Sequence, residues 1–599
     1  MKMRRAPDDS RRACVQKRSD IMKVFRSEHP RTQMRRADWI NLNGEWQFEI
    51  DRGDTGRARG LLERELDGRI NVPFCPESKL SGVGERDFMA AVWYRRTFTL
   101  PDDWAGERVL LHFGAVDYLC EAFVNGASAG THRGGYTSFE FEITSLLKPG
   151  ENVLVVHARD DLRSGRQPAG KQSGRYESYG CFYTRTTGIW QTVWLERLPA
   201  TALRDVRYEP DVDNACVYVQ ALLDGDCAGV AMRVETFYEG KPMGAATVKA
   251  APVTRACVPL DAVELWELGK GRLYDTRITL LREGAQVDCV EGYFGMRKVE
   301  LRPNGLYLND RPVFMRLVLD QGFYPEGVYT APGDADLLGD IQLSMDMGFN
   351  GARLHEKVFE PRFLYWADRM GYMVWGEFPN WGADTSDPAI LAAYQDEWAE
   401  AVRRDISHPC IVGWCPFNET WDVNGRRQCD DTLRSVCLLT KALDPTRPVI
   451  DTSGNFHVVT DIYDVHDYEQ DAEKFAAHYA RRAEGGEIFD QFSDRQHYGG
   501  QPYFVSEYGG IWAPGDGVWD NPDGWGYGQR PHSEEEFVAR YTALTGTLLD
   551  NRYVCGFCYT QLYDVEQEQN GLYTYARKPK LDPAIIRAVN IRRAAMEDE

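Results

Sequence analysis

The chain has 599 residues, of which 43% are hydrophobic and 27% are charged, so it is too long for one ordinary domain and too apolar for a disordered protein. Its net charge of −21 argues against a protein that binds nucleic acid by charge. It lacks the run of about 18 apolar residues that a membrane-spanning helix needs. Its 14 cysteines follow no disulfide framework spacing, so we expect a cytoplasmic protein with reduced thiols.

The first 36 residues form a basic arm. They contain 12 Lys or Arg against 4 Asp or Glu, and no apolar segment follows that would make them a secretion signal. We expect a solvated, partly disordered tail over residues 1–36. Contact of this arm with nucleic acid or a membrane is the weaker alternative.

Residues 37–200 are rich in short strands. Apolar or alternating segments are separated by turn residues such as Asn125-Gly126, without helical periodicity between them. This pattern predicts an antiparallel β-sandwich of the jelly-roll type. The long polar loop Gln167–Tyr183 carries four aromatic residues, so it either packs on a neighbouring domain or belongs to a ligand site. The predicted strands are Trp46–Ile50, Trp93–Leu100, Arg108–Gly114, Glu121–Val124, Ser138–Ile143, Asn152–Ala158 and Gln191–Leu195.

Residues 201–300 repeat this pattern on a smaller scale. About seven short strands in roughly 100 residues are typical of an immunoglobulin-like β-sandwich. We see no catalytic cluster in this segment and expect it to act as a spacer.

From residue 301 to 599 apolar strands alternate with amphipathic helices. Close to eight strand–helix units in about 300 residues predict a (β/α)8 TIM barrel. The predicted strands are Phe314–Leu319, Asn350–Leu354, Tyr372–Trp375, Ile411–Cys415, Val449–Asp451, Ile462–Asp464, Tyr503–Ser506 and Cys555–Gln561, and the predicted helices are Asp334–Met347, Pro361–Met370, Leu391–Arg404, Thr432–Leu443 and Ser533–Leu548.

Polar and aromatic side chains recur at the carboxyl ends of these strands. In a TIM barrel those ends meet at one face, where catalytic residues lie. Scattered surface charges would not coincide with so many strand ends. The residues concerned are Asp320, Arg353, His355, Trp375, Glu377, Asn418, Glu419, His466, Asp467, Tyr468, Glu507, Tyr559 and Gln561.

Two carboxylates stand out in this set. Glu419 and Glu507 each follow an apolar strand, so each is anchored on a rigid element. A pair of carboxyl groups among aromatic rings and amides suits hydrolysis of a glycosidic bond. One protonates the leaving oxygen, and the other attacks the anomeric carbon or activates water.

The chain resembles glycoside hydrolase family 2, which contains β-galactosidases, β-glucuronidases and β-mannosidases. The resemblance covers about residues 37–599, and the order of its motifs matches that family's architecture of a sugar-binding-like jelly roll, an immunoglobulin-like domain and a barrel. The segments that carry it are Asn43–Phe48, Trp93–Arg96, Val124–Gly126, Gly188–Gln191, Asp346–Arg353, Gly371–Glu377, Trp414–Glu419 and Ser506–Gly510.

The resemblance implies a retaining exo-β-glycosidase. Glu419 would be the acid/base and Glu507 the nucleophile, with Asn418 holding the 2-hydroxyl of the sugar and Tyr468 donating to the nucleophile. Retention requires two carboxyl groups about 5–5.5 Å apart, with the pKa of one raised by the other. Further residues expected to line the sugar pocket are Arg353, His355, Trp375, Glu377, Asp320, His466 and Tyr559.

One departure bears on the sugar. β-Glucuronidases of the family pair the substrate carboxylate with an Asn-x-Lys motif, where this chain has Glu568-Gln569-Asn570. Charge repulsion from Glu568 disfavours a glucuronide, so we expect a neutral, galactose-type sugar first. A uronic acid held by Arg353, Lys357 or Lys171, or a pentose or furanose, stays open.

The remaining expectations concern ligands and partners. We expect a carbohydrate substrate and no required cofactor or metal ligand cluster, and bound Mg²⁺ or Na⁺ is left open. We expect no nucleic acid or membrane partner, and a homo-oligomer is left open. The alternative from another class is a non-catalytic carbohydrate-binding protein with a decayed barrel, which the intact Glu419, Glu507 and Asn418 disfavour.

Overall fold

A computed structural model describes residues 25–519 and 524–598 of the protein. The chain folds as a jelly-roll sandwich, an immunoglobulin-like sandwich and a parallel-stranded barrel, so the predicted fold class is confirmed. The two sandwiches each bury an apolar core, and the barrel core is the largest of the three.

The first sandwich consists of two antiparallel sheets of six and four strands, and Val116–Asp117 and Gly188–Ile189 form a further two-stranded antiparallel sheet. Alternate residues such as Trp46, Leu111 and Val156 point into the core between them, as the two-residue period of a strand requires. Its strands are Trp39–Asn41, Gly44–Asp51, Gly68–Val72, Ala91–Thr99, Arg108–Phe113, Val116–Asp117, Leu119–Val124, Ala127–Arg133, Phe139–Glu142, Glu151–Arg159, Gly188–Ile189 and Val193–Leu198.

The second sandwich has seven strands, in sheets of three and four. This number is the one predicted for an immunoglobulin-like domain. Its strands are Ala202–Asp211, Cys216–Asp224, Val230–Tyr238, Lys241–Lys249, Val253–Pro259, Tyr274–Arg282 and Ala285–Phe294.

The barrel begins after a small three-stranded sheet of Val299–Arg302, Gly305–Leu308 and Arg311–Val313. Seven parallel strands form one curled sheet, and the short strand Thr452–Ser453 pairs with Phe417–Asn418 beyond its fourth strand. The seven strands are Met315–Asp320, Gly351–Leu354, Met373–Glu377, Ile411–Cys415, Tyr463–Asp467, Tyr503–Gly509 and Val554–Thr560.

Helices cover the outside of this sheet. In the described residues, none is long and apolar enough to cross a membrane. The α-helices are Asp334–Asp346, Pro361–Met370, Leu391–Asp405, Asp430–Leu443, Ala472–Ala483, Glu534–Leu549 and Pro583–Asn590.

Local differences from the predictions remain. The strand predicted at Val449–Asp451 is only an isolated parallel bridge between Val449 and Trp414, and the paired strand follows at Thr452–Ser453, after Asp451, whose carboxylate accepts from the backbone of Val458 and Val459. Two helices, Ala472–Ala483 and Pro583–Asn590, were not predicted. The first has Asp471 as its N-cap, whose side chain accepts from the backbone of Glu473 and Lys474.

The described part of the basic arm is packed rather than solvated. Arg26 is 5% exposed and donates to Glu360 of the barrel. Arg36 is 4% exposed and pairs with Asp288 and Glu196 of the two sandwiches. The expectation of a solvated tail is therefore wrong for residues 25–36, and residues 1–24 lie outside the described part of the chain.

Candidate active site

Two carboxylates meet at the carboxyl-terminal face of the barrel. Glu419 directly follows the short strand Phe417–Asn418, and Glu507 lies within the strand Tyr503–Gly509. One oxygen of each, together with one nitrogen of His466, lie within 4.8 Å of one another. The fold therefore brings together two acids that are 88 residues apart in the sequence.

His466 lies between the two acids. Its Nδ1 is 2.6 Å from Glu419 Oε1, and its Nε2 is 3.4 Å from Glu507 Oε1. Ser453 Oγ lies 3.1 Å from Nε2. Gly454 has a positive φ, and a Cβ there would lie 2.4 Å from the imidazole, so only glycine leaves room for this ring.

The charges of Glu419, Glu507 and His466 shift one another's pKa values. Burial would raise the pKa of Glu419, but the hydrogen bond and the charge of His466 outweigh it and bring this pKa to about 2. Burial likewise opposes ionisation of Glu507, but the charge of His466 and other cations holds its pKa below the ordinary value. Burial would lower the pKa of His466, and the two carboxylates raise it instead. The two carboxylates therefore favour placing their shared proton on the imidazole.

A buried arginine contacts Glu507 and two of its neighbours. The guanidinium of Arg353 donates to Glu377 Oε1 at 2.5 Å, to Glu507 Oε1 at 3.1 Å and to Asn418 Oδ1 at 3.1 Å. It also donates to the backbone oxygen of Ser506 at 2.8 Å. Because its donors are engaged by protein acceptors, Arg353 positions other side chains rather than offering a free charge.

Asn418 is oriented by this network. Its Oδ1 is occupied by Arg353, and its backbone is fixed by paired hydrogen bonds with Asn380. Trp381 Nε1 also donates to the backbone oxygen of Asn418, at 3.1 Å. Among the described residues, the Nδ2 of Asn418 has no protein acceptor, so it can donate to a ligand.

Tyr468 contacts the other oxygen of Glu507. Its hydroxyl donates to Glu507 Oε2, and its ring stacks on Tyr527 with centroids 3.5 Å apart. The hydroxyl also lies 3.0 Å from Thr560 Oγ1. Tyr468 thus fixes the carboxylate from the side opposite Arg353.

The first sandwich completes the site through its long loop. Gly170 donates its backbone N–H to Trp381 of the barrel, and Lys171 lies with its Nζ 3.9 Å from the centre of the Trp381 ring. Lys171 is 6% exposed. Burial would lower the pKa of Lys171, but the charges of Cys181, Glu568, Glu507 and Glu419 raise it instead. The loop therefore packs on a neighbouring domain and also borders the site.

Most of the predicted site residues lie together. Arg353, Glu377, Asn418, Glu419, His466, Tyr468 and Glu507 form one hydrogen-bonded network, and His355 Nδ1 joins it at 3.1 Å from Glu377.

Three residues expected to line the sugar pocket have side chains outside this hydrogen-bonded network. Asp320 accepts from Tyr563 and Gly322. The Trp375 ring packs against Gly413 inside the barrel, and Tyr559 packs against Tyr541 of an outer helix.

The sequence reasoning missed two aromatic residues at the site. Tyr527 stacks on Tyr468, and Trp421 donates its Nε1 to Glu419 Oε2 at 3.1 Å. Tyr527 follows an irregular segment without a pattern. Trp421, two positions after Glu419, could have been found from its spacing alone.

Two groups of described residues offer three metal-type donor atoms within 4.8 Å of one another. One is Glu419, His466 and Glu507, and the other is Asp368, His408 and Cys410. In the second, Asp368 already pairs with His408 at 2.6 Å and accepts from the Cys410 backbone at 2.8 Å. That no metal is required stays a prediction.

A sandwich, an immunoglobulin-like domain and a barrel with two carboxylates at its carboxyl-terminal face define a glycoside hydrolase. Three family models match the chain. Residues 40–199 match the sugar binding domain of glycosyl hydrolases family 2, residues 201–297 match glycosyl hydrolases family 2, and residues 299–589 match its TIM barrel domain. The chain belongs to this family, and it is an exo-β-glycosidase.

Similar proteins carry two activities in their names. A beta-glucuronidase of Paenibacillus borealis is 26% identical over 68% of this chain and 72% of its own length. A beta-galactosidase of Thermoanaerobacter pseudethanolicus is 26% identical over 61% of this chain, but over only 49% of its own length. The structure of a β-glucuronidase from Ruminococcus gnavus with D-glucuronic acid matches 94% of this chain and 99% of its own, with a TM-score of 0.76 and 19% identity, which shows the common fold.

Proposed function

We propose that the protein hydrolyses a terminal β-linked sugar with retention of configuration, with Glu507 as the nucleophile and Glu419 as the acid/base. The observation that carries this is the spacing: one oxygen of each carboxylate lies within 4.8 Å of one of the other. Retaining glycosidases place the two carboxyl groups about 5–5.5 Å apart, whereas inverting ones need about 6.5–9.5 Å to admit a water molecule.

The surroundings of the two acids fit these roles. Glu507 accepts from Arg353 and Tyr468, so it is held ionised and aimed as a nucleophile requires. Attack on the anomeric carbon breaks the glycosidic bond, and the departing oxygen takes a proton from Glu419. Water, deprotonated by Glu419, then hydrolyses the ester on Glu507. Asn418 Nδ2 is placed to donate to the sugar's 2-hydroxyl.

The proton for the first step starts on His466. With the pKa of Glu419 at about 2, this carboxyl is ionised in the free protein, while the adjacent imidazole is protonated. As the leaving oxygen gains negative charge, the Nδ1 proton passes to Glu419 along their 2.6 Å hydrogen bond, and Glu419 delivers that same proton to the leaving oxygen. His466 thus holds the proton without touching the sugar.

For the sugar itself, we propose a neutral, galactose-type ring. Glu568 is buried at the edge of the site, where it accepts from Asn570 at 3.0 Å and from the Tyr183 hydroxyl. The charges of Glu568, Glu507 and Glu419 raise the pKa of Lys171, so carboxylate charge offsets that cation. A carboxylate here accepts well from sugar hydroxyls and repels a uronate.

A β-glucuronide is the second candidate, and Lys171 favours it. Among the described residues its ammonium has no hydrogen-bond acceptor or ion-pair partner, whereas Arg353 and Lys357 donate to protein acceptors. A buried, uncommitted cation is well suited to a substrate carboxylate. Several of the named relatives are β-glucuronidases.

A panel of 4-nitrophenyl glycosides separates the two. If the sugar is neutral, Glu568→Gln lowers kcat/KM on the galactoside, and the wild type turns over the glucuronide poorly. If it is a uronate, the wild type prefers the glucuronide and Lys171→Met removes that preference. Activity on neither sugar, but on an arabinoside, would replace both proposals.

The mechanism has its own test. Glu507→Gln should abolish turnover of every aryl glycoside, and Glu419→Ala should be rescued by azide to give a β-glycosyl azide. An α-azide would exclude retention, and wild-type rates for Glu507→Gln would exclude this nucleophile. Binding without turnover across the whole panel would instead favour a non-catalytic sugar-binding protein. A cytoplasmic location and the absence of a required cofactor stay predictions, and a homo-oligomer stays open.

A further inference from the structure

Trp421 is a large aromatic side chain that is left exposed beside the acid/base. It lies two residues after Glu419, and 48% of its surface is exposed. Its indole nitrogen donates to Glu419 Oε2 at 3.1 Å, while His466 takes the other oxygen, Oε1. The two oxygens of this carboxyl group therefore face different neighbours, one buried and one near solvent.

The indole is held in place by other rings. Phe456 and Phe492 meet it edge to face, with centroids 5.9 and 5.8 Å away, and they pack on each other at 4.9 Å. Arg495 covers Phe456 from the far side at 3.5 Å and pairs with Asp422 at 2.8 Å. Trp421 is thus held rigidly by packing, with one face of its ring open to solvent.

The position of the Trp421 ring indicates which part of the substrate it faces. Glu507, Arg353 and Tyr468 lie on the sugar side of the acid/base. The proton of Glu419 must reach the oxygen of the leaving group, so a ring in contact with Glu419 Oε2 on the solvent side borders that group. Exposed aromatic surface that is rigidly held beside a reactive group is characteristic of a binding surface.

We propose that Trp421, supported by Phe456 and Phe492, forms the binding subsite for the leaving group. The proposal rests on the assignment of Glu419 as the acid/base. The leaving group must present a flat, apolar face, which an aryl group or the less polar face of a second sugar ring can provide. Stacking on the open face of the indole orients the leaving oxygen toward Glu419.

The test compares leaving groups of the same sugar. Four substrates are used. The glycosyl fluoride has no aglycone that could stack on the ring. The phenyl and hexafluoroisopropyl glycosides release alcohols of similar acidity, but only phenol is aromatic, and the fourth substrate is a β-linked disaccharide. The variants are Trp421→Ala and Trp421→Phe, with Leu438→Ala as the control for loss of an apolar side chain that is 54% exposed elsewhere on the barrel.

We expect Trp421→Ala to lower kcat/KM for the phenyl glycoside or the disaccharide by about tenfold, as loss of a ring stack does. The fluoride and the hexafluoroisopropyl glycoside should change by less than about twofold. Trp421→Phe should retain most of the activity, because it keeps the ring and loses only the N–H donor. A larger loss of kcat/KM on the phenyl glycoside would identify an aryl leaving group, and a larger loss on the disaccharide would identify a sugar.

Three results would overturn the subsite. Equal losses on all four substrates would make Trp421 a structural residue, and equal losses for Trp421→Phe and Trp421→Ala would assign the effect to the N–H donor. Losses that follow leaving-group acidity rather than aromaticity would mean that the tryptophan acts on Glu419. If the wild type does not cleave the glycosyl fluoride at all, it is the proposed glycosidase function that fails.

Discussion

Substituting His466 by glutamine should narrow the pH profile of kcat/KM from both sides. The imidazole is the cation shared by Glu419 and Glu507, at 2.6 and 3.4 Å. Glutamine keeps a donor of similar length but carries no charge and holds no transferable proton. Because kcat/KM reports the ionisation of groups in the free enzyme, the loss should appear directly in that profile.

The size of the effect follows from the structure. The pKa of Glu419 falls from an ordinary 4.5 to about 2, which corresponds to about 3 kcal/mol in favour of its ionised form. One cation about 4 Å away supplies about 4 kcal/mol at an effective dielectric constant of about 20, so His466 alone can account for the fall. Without it, burial and the mutual repulsion of the two acids are opposed only by smaller contributions, from Lys171 and Trp421 at Glu419 and from His355 and Arg353 at Glu507.

The two limbs of the pH profile should shift in opposite directions. The acid limb marks protonation of Glu507, and loss of the neighbouring charge raises its pKa, so this limb moves to higher pH. The basic limb marks loss of the shared proton. The wild type holds it on an imidazole whose pKa is raised, whereas the variant holds it on Glu419, so this limb moves to lower pH. We expect each limb to move by about one pH unit or more.

The assay is the rate on a 4-nitrophenyl glycoside between acidic and mildly basic pH. Ser453→Ala is the matched control, since it removes the hydroxyl 3.1 Å from His466 Nε2 but leaves the cation. Its profile should keep the wild-type width. An unchanged width in His466→Gln, or a basic limb that moves upward, would refute the shared-proton arrangement.

Two further substitutions test buried charges. Arg353→Met leaves Glu377 and Glu507 buried without their cation and should cost about 3–5 kcal/mol of unfolding free energy, measured by urea denaturation, with part of the loss recovered in a double variant with Glu377→Gln. Burial raises the pKa of Glu397 to about 8, whereas its ordinary pKa is 4.5. Between these two pH values the folded state holds a proton that the unfolded state has released, so stability should fall as the pH rises from 4.5 to about 8. Glu397→Gln should flatten that fall, and an equally steep slope would contradict it.

Much of the fold could be predicted because its local signals agree with one another. Helix Pro361–Met370 has proline at its first turn and Gly371 at its end, in a left-handed conformation, and its predicted bounds are those observed. Thr452–Ser453 was missed because a two-residue strand has no periodicity to detect. Its assignment depends on pairing with Phe417–Asn418, which only the folded barrel provides.

The candidate site was predictable where a residue is fixed by a barrel strand. Glu507 and His466 lie near the carboxyl ends of barrel strands, which marks them as residues of the catalytic face although the strand register is irregular at both positions. Trp375 satisfies the same rule but points into the barrel, where the ring fills the space beside Gly413. A side chain one position away from a strand end can face either the site or the core, and the sequence does not show which.

The residues that we propose select the sugar are harder to predict than the two proposed catalytic carboxylates, because they come from different domains. Lys171 and Tyr183 lie on a sandwich loop whose sequence has no regular period. They reach Trp381 and Glu568 only because Gly170, at φ +57, brings the loop backbone against the barrel, where a Cβ would lie 2.3 Å from the Glu356 carbonyl oxygen. The catalytic carboxylates can therefore stay fixed on the barrel while changes in a loop of another domain alter the charge that meets the substrate.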